Sequence, residues 1–214
     1  MAGTSFDLGA FEAPDNKERV FLTPGFRKMT IREFLYEKED EGKTPLILMK
    51  MFKTNEDGSE TDFTEKLYLS GKLNKQGTMS AIVRLFELNR GITGDKKMNL
   101  EAENYTYSKT ESNGTSEEYT IPNPQAVCDF LNKKCAGKTA IWRVGGEENE
   151  DGKVFTKLDY SGFLYYVDKD KNLCTYKNER DFTKSEHSYS VRKKKTDAPA
   201  HSGSMADVSK LDDL

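Results

Sequence analysis

A change of period near residue 78 limits the fold of this chain more than any other feature. Before it, apolar side chains recur at every second position, the spacing of half-buried strands. From Phe26 to Tyr36, Met29, Ile31 and Leu35 take one face, and Lys28, Thr30, Arg32, Phe34 and Tyr36 the other. From Pro45 to Lys53, Ile47, Met49 and Met51 oppose Leu46, Leu48, Lys50 and Phe52. Asn55-Glu56-Asp57-Gly58 supplies turn residues, and from Asp62 to Ser70, Phe63, Leu67 and Leu69 oppose Thr64, Lys66 and Tyr68. From Thr78 to Arg90 the spacing becomes helical, with Ala81, Ile82, Leu85, Phe86 and Leu88 on one side and Gly91 as the expected C-terminal glycine.

Residues 93–120 are polar and lack a period, and are expected to form an inserted loop. Asn123-Pro124 is an N-cap followed by proline at the first helical position. The helix it opens should end at Cys135 before Ala136-Gly137. Strands resume at Thr139–Val144, Lys153–Val167 (one strand or two) and Leu173–Tyr176. Three strands, a helix, then two or more strands is the order of the OB-fold, a five-stranded barrel with its helix between the third and fourth strands. Other small barrels and α+β sandwiches give the same string. The expected class is mainly β with α: an OB-fold-like barrel at 19–190 with an insertion at about 93–137. An irregular N-terminal arm at 1–18 and a flexible, disordered tail with an acidic tip at 191–214 flank it.

Enzymatic chemistry finds little footing. There is no phosphate-binding GxxxxGK[ST] or GxGxxG, and no GxSxG. Gly145-Gly146 leads into acids, the wrong charge for a phosphate. His187 and His201 are the two histidines, both near the C-terminus, and Cys128, Cys135 and Cys174 show no zinc spacing and are expected as free thiols. Asp168-Lys-Asp170-Lys-Asn172 with Glu179 matches calcium-loop oxygen positions but has Leu173 where glycine is needed, so a charged hairpin turn is expected. Neither metal nor cofactor is expected, and the chain is not expected to be an enzyme. No apolar run approaches the roughly 20 residues of a membrane span. The N-terminus lacks a basic region followed by an apolar one, so a cytoplasmic protein is expected.

The outer strand faces are more informative. Each pairs a cation with a bulky apolar or aromatic side chain: Lys28 and Arg32 with Phe34, Lys50 with Phe52, Lys66 with Tyr68, Arg143 with Ile141, and Lys157 with Phe155. Cations neutralise phosphates and flat rings stack on bases, the two ingredients of a surface that tracks a single strand. Burial of those rings under the insertion or the arm is the competing reading. The net charge is −3, yet segments 37–41, 101–118 and 147–151 carry −3, −4 and −4, leaving +8 for the rest. The strands can therefore present a basic face. The tail ends in Lys210-Leu211-Asp212-Asp213-Leu214, preceded by Asp207, an acidic and apolar tip suited to a basic pocket on a partner or to the protein's own groove.

Met29 to Phe52, Glu65-Lys-Leu-Tyr-Leu-Ser70, Ala81-Ile-Val-Arg-Leu-Phe-Glu-Leu88 and Leu211-Asp-Asp-Leu214 together resemble the single-stranded DNA-binding proteins encoded by bacteriophages, OB-fold proteins with an acidic C-terminal tail. The resemblance covers about residues 20–170 and the tip. It implies sequence-tolerant binding of single-stranded DNA in viral replication or recombination, in the host cytoplasm. On that reading Lys28, Arg32, Lys50, Lys66 and Arg143 hold the backbone, and Phe34, Phe52 and Tyr68 stack on bases. Asp207, Leu211, Asp212, Asp213 and Leu214 recruit replication or recombination proteins, and a homo-oligomer is possible. The alternative is a phage virion or assembly protein that binds no nucleic acid.

Overall fold

The computed structural model describes residues 22–37, 43–73, 77, 79–110, 113–159, 162–183, 185–186 and 189–191. The expected arm at 1–18, the tail from Arg192 with Asp207, Leu211, Asp212, Asp213 and Leu214, and both histidines lie outside them.

The described chain is mainly β: a curled, half-barrel sheet with two helices. Its five main strands are β1 (Gly25–Glu37), β2 (Leu46–Thr54), β3 (Glu60–Tyr68), β6 (Thr139–Glu148) and β7 (Val154–Leu158), side by side in the order β3-β2-β1-β6-β7 and antiparallel throughout. Helix α1 (Ser80–Thr93) follows β3. A hairpin of β4 (Tyr105–Thr110) and β5 (Ser116–Ile121) and helix α2 (Pro124–Cys135) precede β6. Short strands end the chain: β8 (Tyr165–Val167) paired with β9 (Leu173–Thr175), then β10 (Arg180–Asp181) on β1, and β11 (Tyr189–Val191) parallel to β6.

The concave face of the sheet is the core. Met29, Ile31, Ile47, Met49, Met51, Phe63 and Leu67 bury there as their alternation required, each worth about 1.5–3 kcal/mol. Trp142 of β6 lies wholly inside, stacked on Phe163 and donating its indole N–H to the Met29 carbonyl at 3.0 Å. Glu65, on the inner face of β3, bridges the open seam to β7: it meets Arg84 of α1 at 2.7 Å and accepts from the Leu158 N–H at 3.0 Å.

The inserted segment is not a loop. Tyr107 and Ile121, on facing strands, turn into the core, and the Tyr107 hydroxyl binds at the end of β3 between the Leu69 carbonyl and the Gly71 N–H. The hairpin and α2 therefore stop one end of the half-barrel and leave the convex face of β1–β3 uncovered by their described residues. Asn123 caps α2 as expected, accepting from the Gln125 and Ala126 N–H groups. Helix α1, by contrast, continues through Gly91 to Thr93. The residue that stops it is Gly94, at φ 80°, whose N–H returns to the Arg90 carbonyl. Gly91 serves close packing instead, because a Cβ there would stand 2.7 Å from Cβ of Leu164. The stretch 153–167 is two strands, with Phe163 and Leu164 buried between them. Among the described residues no helix is long and apolar enough to cross a membrane.

Candidate nucleic-acid interface

Strand β1 contains a bulge that redistributes the expected contact residues. Ile31 pairs with Met51 and Glu33 with Lys50, so Arg32 is the extra residue. An added residue reverses the two-residue alternation beyond it. Phe34 consequently turns inward and is 1% exposed, while Leu35 turns outward at 37%. Asn132 of α2 fixes this arrangement. Its side-chain oxygen accepts from the Phe34 N–H at 2.8 Å, and its amide donates to the Phe34 carbonyl at 2.9 Å. Phe34 is a core residue, and the expectation that it stacks on a base is corrected.

The convex face of β1–β3 brings most of the other expected residues together in cross-strand rows. Thr30, Phe52 and Asp62 form one, Glu33, Lys50 and Thr64 the next, and Leu35, Leu48 and Lys66 a third, with Tyr68 beyond. Tyr68 is 52% exposed. Arg32 lies over the half-buried Phe52 ring, 4.7 Å from its centroid, and is clamped by Glu60 at 2.6 Å and Asp62 at 3.2 Å. The Glu60 bond, opposed in part by desolvation, raises the Arg32 guanidinium above its ordinary value. Lys50 pairs with Glu33 at 3.0 Å. Lys28 and Lys66 are exposed and form an ion pair with no described residue.

The face is therefore mixed in charge and not the basic surface that the segment charges allowed. Three acids, Glu33, Glu60 and Asp62, stand among its cations. Arg143 lies elsewhere. It faces the side of β6 covered by residues 162–176 and meets the buried Asp159 carboxylate at 2.6 Å, which commits it to the fold. Phe155 is 51% exposed, but on β7, with Lys153 over its ring and Lys157 held by Glu147. Leu35 is the outward-facing residue of β1 that alternation alone assigned to the core.

The remaining chemistry is structural. Asp168 accepts from the Asp170 and Asn172 N–H groups inside the β8–β9 turn, the charged hairpin turn the sequence suggested. Gly145 and Gly146 lie within β6, where a Cβ on Gly146 would meet Pro24 and Tyr189 at 2.9 Å. Burial pushes the Cys128 thiol up to about 12 and the Cys135 thiol to about 11, which leaves both protonated and unreactive. Beside residues 162–164, burial likewise pushes the Glu87 carboxyl up to about 7, against the Leu164, Phe163 and Gly162 N–H groups that pull it down. No family model, curated protein or solved structure matches the chain.

Proposed function

We propose that the chain is a sequence-tolerant single-stranded DNA-binding protein, acting in replication or recombination, with the convex face of β1–β3 as its contact surface. The observation that carries this is the exposed Tyr68 ring beside Lys66, on the same face of the sheet as Phe52, Arg32 and Lys28. An exposed ring and a half-buried one among cations, on a face that the described residues leave open, suit a ligand with flat faces and a charged backbone. The strand order β3-β2-β1-β6-β7, with α1 between the third and fourth of these sheet strands, supports the OB-fold reading, and in that fold the second and third strands carry oligonucleotides.

Stacking supplies most of the affinity on this reading. The acids on the face hold Arg32 and Lys50, so few phosphates are neutralised and salt dependence is shallow. The test is fluorescence anisotropy of a labelled oligo-dT strand with unlabelled duplex as competitor. Saturable binding that duplex fails to displace is expected. An oligomer that forms without any oligo-dT affinity would select the assembly-protein alternative.

A further inference from the structure

A second aromatic site lies on the same side of the sheet, over β1 and β6. Phe26 packs against Tyr176 at 4.6 Å between ring centroids, and Tyr176 stacks on Tyr166 at 5.5 Å. Phe26 is buried on the convex side of β1 and Tyr166 is 48% exposed, so a file of three rings runs from the sheet surface to solvent. The file is anchored: the Tyr176 hydroxyl donates to the Gly162 carbonyl at 2.6 Å, and Arg180 lies over Phe26, 4.2 Å from its centroid. A cavity of about 580 Å³ opens beside it, lined by Tyr166, Tyr176, Lys177, Asn178 and Arg180. A neighbouring cavity of about 350 Å³ shares Tyr176 and Lys177 and adds Lys28.

The cations around these cavities are not equivalent. Arg180 is held by Glu186 at 2.8 Å. Glu179, the nearby acid, is occupied by Lys53 at 3.5 Å and by the Lys28 backbone N–H at 2.8 Å. The Lys28 and Lys177 side chains form an ion pair with no described residue. An open aromatic ring flanked by two available ammonium groups fits a nucleobase and its adjoining phosphates. The cavity is also of ordinary ligand-site size, about 300–1,000 Å³.

We infer that this groove is a second nucleotide subsite, in which a base stacks on Tyr166 while Lys177 and Lys28 hold the backbone. The inference rests on the single-stranded DNA reading and extends it. Lys28 sits two residues before Thr30, whose row holds Phe52, so the strand leaves the β1–β3 face past Lys28 and enters the groove.

Two experiments on the full chain test this. Oligo-dT affinity is measured for the wild type, Tyr166→Ala, Lys177→Ala and Tyr68→Ala, each checked for an unchanged thermal midpoint. Wild-type protein is also photocrosslinked to oligo-dT carrying 5-iodouracil, and the attached residues are mapped. Loss of one stacked base should weaken Tyr166→Ala about 10-fold, with crosslinks at Tyr166 as well as Tyr68. Wild-type affinity in Tyr166→Ala, with crosslinks confined to the β1–β3 face, overturns the groove and leaves the reading of that face intact. Loss in Tyr166→Ala with none in Tyr68→Ala supports the groove and overturns the face. A wild type that binds no oligo-dT overturns both.

Discussion

At the scale of single residues, two neighbours in β1 have exchanged roles. Phe34 is inside and Leu35 outside, because Arg32 is an extra residue in the strand. Phe34→Ala should cost about 3–5 kcal/mol of stability, the usual loss for a large ring removed from a core, read by denaturant unfolding. Leu35→Ala should change stability little. Tyr68→Ala should keep the wild-type unfolding midpoint and weaken oligo-dT binding about 10-fold, because the ring touches no core. Glu87 carries a pH effect. Its carboxyl rises from 4.5 to about 7 on folding, so the native state holds the proton more tightly than the unfolded chain. Its contribution is fully present below about 4.5 and is lost as pH rises through about 7. A shift of that size corresponds to about 3 kcal/mol. Glu87→Gln should therefore unfold at higher denaturant than the wild type at pH 8, with the difference shrinking towards pH 4.5.

At the scale of elements, local chemistry was readable and long-range chemistry was not. Asn123-Pro124 announced α2 because capping is decided within four residues. The inward faces of β2 and β3 were legible because their pairing is regular. The bulge in β1 was not, since nothing in Ile31-Arg32-Glu33 marks it. It is set by Lys138, Gly137 and Asn132, the last of them 98 residues from Phe34. The β4–β5 hairpin was hidden by polar composition, although Tyr105 and Tyr107 do alternate and Asn113-Gly114 turns the chain with Gly114 at φ 82°. Gly91 looked like a stop signal because sequence cannot distinguish a cap from a close approach. Gly91→Ala should raise helix propensity yet lower stability by about 1–3 kcal/mol through collision with Leu164, whereas Gly94→Ala should act by straining a left-handed cap.

At the scale of the whole molecule, the half-barrel separates its charges less cleanly than segment totals suggested. Acids sit among the cations of the convex face, and Arg143 is spent inside on Asp159. Arg143→Ala should therefore destabilise the fold, and any change in DNA affinity should follow the unfolded fraction. With Lys28, Lys66 and, in the groove, Lys177 as phosphate ligands, the logarithm of affinity should fall against the logarithm of salt with a slope of about −2, from about −0.7 per phosphate on single strands. The most direct test of the convex face as a DNA surface compares the oligo-dT affinity of the wild type and of a Lys66→Ala, Tyr68→Ala double variant by anisotropy at low salt. Tight wild-type binding and a loss of at least about 10-fold in a variant with an unchanged unfolding midpoint is the expected result. Equal affinity for the two proteins would contradict it.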